Sequence, residues 1–417
     1  MSFFLLFFLE KRILFFKFKS FKKKDMCVLC AVVNALDAAK KKLPFFTDKP
    51  ATSMKTTEKK DVEFVCARES LSPSLSFVDE IITTGAKAEK KRNKNDENVW
   101  KAMESLEEEI SALAKWSFDA FEYASSSRDK KFPLARLFMA AFDVLASGGV
   151  SERKREDVKE IFALINREKL FIFAQNVERG YVDIDNLPYH NVAHACEVVH
   201  ATFAILADVI TEETVMDPIS VFSLLVAAIG HDIYHPGCDN ATLAKDRIDI
   251  KRRYNGQSLS EMVSCEVTLE LLRRSGALCG KSEDLECDGG LTTSQIAYIE
   301  DVVATSILST DLSKHDENLN RSGNAAQIIM KSADLAHFAR PREIHLKWVH
   351  AAMSEQKRNT KREVVKDGHV DWKNQVSFAE TFVLPTIATL TEHVSVGSTP
   401  IYEFAKANVE ESRELIV

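Results

Sequence analysis

From Val99 to the end of the chain, apolar residues recur at roughly helical spacing and nowhere alternate cleanly over the length of a strand. The pattern starts with "VWKAMESLEEEISALAKWSFDAFEYA" and "FPLARLFMAAFDVLAS", and continues through "VAHACEVVHATFAILADVI", "ISVFSLLVAAIG" and "AAQIIMKSADLAHFA" to a terminal "IYEFAKANVEESREL". With only 14 glycines and 10 prolines in 417 residues, little interrupts it, and polar loops at 280–294 and 357–374 supply the main breaks. The expected fold is all-α: one compact multi-helix domain over 99–417, large but within the range of a single core.

The residues ahead of it read differently. Residues 41–98 are charged and turn-rich without sustained periodicity, as in a disordered linker, with room for a short helix over 77–83. Residues 1–40 open with "MSFFLLFFLEKRILFFKFKSFKKK". Its longest apolar run, Phe3 to Leu9, is too short to span a bilayer, and its charges follow the run, the reverse of a secretory signal. Three readings stay open: a peripheral membrane-interface anchor, a solvated tail, and an upstream start before Met26. Eight scattered cysteines read as reduced thiols of a cytoplasmic protein. Cys27 and Cys30 have redox or zinc spacing, but no second pair answers them. The formal net charge of −7 gives no global attraction to nucleic acid.

The chemistry concentrates around histidine, of which the chain has 11. In "LPYHNVAHACEVVH", a helix starting near Asn191 sets His190 and His194 about 6 Å apart along its axis, close to one face. His200 points elsewhere and reads as a packing or surface residue. In "LLVAAIGHDIYHPG" a strongly apolar segment ends in His231 and Asp232, with His235 a turn later. Asp334 ends another apolar helix in "IIMKSADLAHFA". Charges at the ends of buried helices are costly unless paired or coordinated. His194, His231, Asp232 and Asp334 therefore form a candidate site for a divalent cation: zinc through N and O, or magnesium or manganese through O and water. Asp232 is placed to bridge two such ions, the arrangement used against phosphoesters.

These motifs resemble the HD superfamily of metal phosphohydrolases. The fuller wording, "PYHNVAHACEVVH", "AAIGHDIYHPGCDN", "STDLSKH", "KSADLAHFARP" and "WKNQVSFAETFVLP", resembles the catalytic domain of class I 3′,5′-cyclic nucleotide phosphodiesterases. The resemblance implies hydrolysis of the 3′ phosphoester of cAMP or cGMP to the 5′-monophosphate. It implies zinc on His194, His231, Asp232 and Asp334, magnesium or manganese on Asp232 and waters, and attack by a bridging hydroxide. By the same resemblance His190 is the general acid, and His235, Glu261, Asp311 and His315 order waters and the acid. Gln375 and Phe378 bind and stack the purine, with Tyr189 and His337 lining the substrate pocket.

The sequence also departs from the family. Met262, Val263 and Ser264 replace Asn-His-His after Glu261, His337 replaces a common asparagine, and Ala352 stands where a larger aliphatic presses on the base. Two other readings therefore stay open. An HD-type nucleotidase shares the ligands but needs no Gln375–Phe378 pair. A degenerate relative binds cyclic nucleotide without turning it over. Residues ahead of the domain are too few for paired sensor domains, and the sequence does not choose between cAMP and cGMP.

Overall fold

In the computed structural model the described residues are 3–9, 12–18, 106–126, 132–147, 156–182, 186–209, 216–279, 290–315, 324–360, 370–394 and 400–416. The linker at 41–98, the start of the domain at 99 and the Cys27–Cys30 pair lie outside them. The chain divides into two units, Met1–Ser70 and Leu71–Val417.

In the first unit, β1 (Phe3–Leu9) pairs antiparallel with β2 (Arg12–Phe18), Phe3 opposite Phe18 and Leu9 opposite Arg12. This hairpin departs from the helical expectation for the rest of the chain. Both segments are short and rich in Phe, Leu and Ile, and neither carries the polar face that an amphipathic helix needs.

In the second unit every element of four or more residues among the described residues is helical, as the periodicity predicts. The helices that matter for the site are α1 (Pro133–Ser147), α2 (Arg167–Glu178), α3 (Val192–Val209), α4 (Pro218–Gly230), α5 (Leu259–Ser275) and α6 (Thr293–Leu308). They continue as α7 (Ala325–Asp334), α8 (Arg342–Thr360), α9 (Trp372–Phe378), α10 (Leu384–His393) and α11 (Ile401–Glu414). Between α9 and α10 the chain widens into a π turn at Ala379–Val383.

The centre is α3, packed against α1, α4 and α7, with α4 in turn against α6. By length and composition α3 could cross a membrane, yet it is mostly buried within protein, which makes it a core helix. Its start is set by Asn191, whose Oδ1 accepts from Ala193 N at 2.8 Å and His194 N at 3.3 Å. Helix α4 begins with Asp217 capping Ile219 N and Ser220 N at 3.0 Å, followed by proline at the first helical position. It ends at Gly230, where α5 comes so close that an added Cβ would lie 2.2 Å from Thr268 Oγ1. Thr268 Oγ1 donates to the Gly230 carbonyl at 3.0 Å, so this close approach fixes where His231 and Asp232 leave the helix.

Candidate metal centre

The turn after α4 is held from two sides. Tyr181 donates its hydroxyl hydrogen to Ile229 O at 2.9 Å, and the hydroxyl oxygen accepts from Asp232 N at 3.3 Å. His231 Nδ1 lies 2.9 Å from Ala228 O and donates to it, which leaves Nε2 as the nitrogen turned to the site. From α3, His194 brings its Nε2 to 3.2 Å from His231 Nε2. Asp232 Oδ2 lies 3.4 Å from each of these nitrogens, and Asp334 Oδ1, at the end of α7, lies 3.1 and 3.5 Å from them.

Those spacings decide what the cluster fits. A tetrahedral ion with N and O ligands about 2.0–2.1 Å away has ligand–ligand edges of about 3.3 Å. All four predicted ligands offer one atom to a common point, each within 4.8 Å of every other. Electrostatics agree. Burial alone would lower the His231 and His194 imidazoles, but Asp232 and Asp334 outweigh it and raise both, His231 to about 10. Burial would likewise raise the two carboxyls, but the facing imidazoles hold both below the usual carboxylate range. Without a metal, protons on the imidazoles neutralise the carboxylates; a divalent cation would displace them. The residues fit the ion that the sequence predicts.

A second cluster adjoins the first. His190 Nε2 is 3.9 Å from Asp232 Oδ2, and its ring stacks on His235 with centroids 3.7 Å apart. His190 Nδ1 is paired with Glu355 Oε1. The other Glu355 oxygen accepts from Tyr189 N at 2.9 Å and His190 N at 3.0 Å. Burial would raise the Glu355 carboxyl, but the bond and charge of His190 and these two N–H groups hold it below its usual range. His235 is pushed down to about 3 by burial and by His190, so it is neutral, and its Nδ1 accepts from Gly237 N at 3.1 Å.

Sequence reasoning passed over Glu355. It sits on α8 with Ile344, Trp348 and Ala351, at spacings of four, three and four, and all four are buried. An acidic residue on the apolar face of an amphipathic helix was the available signal.

The remaining predicted residues spread outward. Glu261, on α5, accepts from Asn240 Nδ2 at 2.9 Å; burial, with Asp311 and Asp232 nearby, raises its carboxyl to about 7. Asp311 accepts from Ser258 Oγ and Ser313 Oγ, both at 2.7 Å, and His315 sets its ring edge-on to Phe382 at 5.0 Å. Ser264, in the segment that departs from the family, donates its hydroxyl to Ile233 O at 2.9 Å, so that replacement leaves the carbonyl satisfied. Tyr189 lies between His190 and His194, with ring centroids 4.7 and 4.9 Å away, and meets His337 edge-on at 5.7 Å. Phe338 joins His337 to Phe378, stacked at 5.7 Å. An aromatic run therefore links the candidate metal ligands to α9, where Gln375 and Phe378 are both half-buried. His200 is a packing residue, buried and bonded to Arg340.

Comparison with known proteins agrees with this geometry. The profile described as 3′5′-cyclic nucleotide phosphodiesterase matches residues 189–402. The chain is 25% identical over 252 residues to the 3′,5′-cyclic-nucleotide phosphodiesterase regA of Dictyostelium discoideum, covering 56% of this chain and 28% of that one. It is 24% identical over 275 residues to the 3′,5′-cyclic-AMP phosphodiesterase 4C of Mus musculus, covering 60% and 36%. A dual specificity calcium/calmodulin-dependent phosphodiesterase 1C of Homo sapiens is 23% identical over 325 residues, covering 71% and 42%. The chain thus spans less than half the length of each of these relatives. In fold it resembles the phosphodiesterase domain of the Salpingoeca rosetta rhodopsin phosphodiesterase, with a TM-score of 0.56 and 20% identity over 73% of this chain and 92% of that one.

Proposed function

This chain belongs to the 3′5′-cyclic nucleotide phosphodiesterase family, and from that premise we propose that it hydrolyses the 3′ phosphoester of cAMP, cGMP or both to the 5′-nucleotide. The observation that carries the reading is the convergence of His194, His231, Asp232 and Asp334 at tetrahedral-edge distances, with His190 alongside. Zinc on those four ligands, with magnesium or manganese sharing Asp232, would when bound supply Lewis acidity to the phosphate and acidify the attacking water.

The chain's own residues do the rest. Glu355 orients His190 through Nδ1, leaving Nε2 on the Asp232 side as the nitrogen that would serve the departing O3′. His235, Glu261 and Asp311 supply donors and acceptors around Asp232 that order water. Gln375 offers an amide to the purine edge and Phe378 a face for stacking, with Phe338 backing Phe378. Among the described residues no hydrogen bond holds the Gln375 amide. It is therefore free to present either of its two orientations, which favours acceptance of both purines.

The full-length chain, loaded with zinc and assayed with cAMP and cGMP separately in magnesium or manganese, tests this. Release of 5′-AMP or 5′-GMP that stops on chelation supports it. Binding of cyclic nucleotide without turnover in the metal-loaded protein would favour the degenerate-binder reading instead, and action on 5′-nucleotides or dNTPs alone would favour the nucleotidase.

For the N-terminal segment we propose peripheral contact with an anionic membrane surface from the cytoplasmic side. The register pairs apolar with apolar residues throughout, except at Phe4 with Lys17 and Leu9 with Arg12, and further lysines follow at 19 and 22–24. Co-sedimentation with phosphatidylserine vesicles, lost when residues 1–25 are deleted, is the expected result; equal sedimentation of both forms would refute it.

A further inference from the structure

Two buried atoms beside the metal ligands have no hydrogen-bond partner: His194 Nδ1 and Glu197 Oε2. Their residues are three apart on α3, neighbours on one helix face. The second carboxylate oxygen of Glu197 is already fixed, since Oε1 accepts from Arg340 Nε at 2.6 Å with both side chains fully buried. Arg340 is itself immobilised. It donates to Trp116 O at 2.7 Å and to His200 Nδ1 at 2.9 Å, and its guanidinium lies 4.1 Å over the Trp116 ring. Trp116 Nε1 closes the loop by donating to Ala339 O at 2.7 Å.

Metal ligation specifies where the proton of His194 must go. Its Nε2 is the atom turned toward His231, Asp232 and Asp334, so a cation there takes the Nε2 lone pair and leaves the proton on Nδ1. His231 donates from its own Nδ1 to the Ala228 carbonyl, three residues back. His194 makes no such bond, and a buried N–H requires an acceptor.

We infer that Glu197 is a positioning residue for the metal centre: in the metal-loaded protein His194 Nδ1–H donates to Glu197 Oε2, and Arg340 holds that carboxylate in place. This rests on the metal reading proposed above and deepens it. One bond satisfies both orphaned atoms. It also ties α3 to the segment after Asp334, because Arg340 lies six residues past that ligand. Partners of this kind orient a ligating imidazole and raise its basicity.

The test is zinc affinity of the full-length chain, measured by competition with a chromophoric chelator, for wild type and Glu197→Gln. The amide keeps an acceptor for Arg340 but removes the charge facing His194, and zinc affinity is expected to fall by about 10–100-fold. In the same zinc-loaded samples, nitrogen-15 NMR reads the His194 Nδ1–H, whose resonance should shift in the variant. Unchanged affinity with an unmoved resonance overturns the inference. If Glu197→Gln does not fold, the wild type decides alone. A protected Nδ1–H supports the bond, and an unprotonated or freely exchanging Nδ1 overturns it. A wild type that binds no zinc overturns the metal reading itself, an outcome distinct from equal binding by the variant.

Discussion

Two buried polar clusters share helix α3, and they solve the same electrostatic problem differently. Around Arg340, the Glu197 carboxylate meets a guanidinium that donates to an imidazole, a backbone carbonyl and the carboxylate at once. Around His194, two carboxylates face two imidazoles, whose charge can change. The first cluster is neutralised by its own sequence, whereas the second depends on protons or a metal for its charge balance. Buried carboxylates are affordable only beside a cation. The second cluster is thus the candidate site for an exchangeable one.

The largest expected effect breaks the exchangeable cluster. Asp334→Ala or His231→Ala should lose bound metal and activity together, activity by at least about 10³-fold, since Lewis-acid stabilisation is worth several kcal/mol. Metal analysis on the purified variants checks this, and a variant that keeps full metal and activity would remove that residue from the ligand set. Breaking the permanent cluster should instead cost stability. Arg340→Leu strands Glu197 as a buried charge and is expected to cost about 3–5 kcal/mol, read from the urea midpoint. Chelation should lower that midpoint less, because protons can replace the metal and nothing replaces the guanidinium.

A third variant sharpens the boundary of the metal cluster. His190→Ala should retain metal yet lose about 10²–10⁴-fold in kcat as a general acid would. Unchanged kcat would remove it from the chemistry. Further out, Gln375→Ala should raise KM for the preferred nucleotide by roughly tenfold, the scale of one or two hydrogen bonds. If neither KM nor base preference moves, the purine pocket lies elsewhere.

A last test concerns the buried carboxyl of Glu178, beside which Arg179 is the nearby cation. Glu178 accepts from Ala135 N at 2.8 Å, and burial raises its carboxyl to about 8, against the pull of the Ala135 and Leu134 amides. Its folded value lies above its unfolded one, so the stabilisation is complete below the unfolded value and is lost as pH rises through about 8. Thermal melts should therefore show wild-type Tm falling between pH 5 and 8 relative to Glu178→Gln. Parallel curves would show that Glu178 is ionised throughout.

Much of the candidate metal centre was legible because its residues stand where apolar helices end. His231 and Asp232 follow "SLLVAAIG", Asp334 closes "IIMKSA", and His194 opens α3, so each interrupts a hydrophobic pattern that would otherwise run on. Glu355 and Glu197 were hidden for the opposite reason. Each sits inside a helix whose polar residues could equally face solvent, and only packing turns them inward.

The sequence by itself determined the helical class of the domain, the breaks between its helices and the residues of the candidate metal cluster, because periodicity and interrupted apolar runs are local properties. It also carried the likeness of 189–402 to the family. Only the tertiary structure decided which charges meet. Glu355 reaches His190 across 165 positions and Arg340 reaches Glu197 across 143. Such pairings depend on how α3 and α8 are packed in space, and a pair that distant leaves no spacing in the chain from which it could be read.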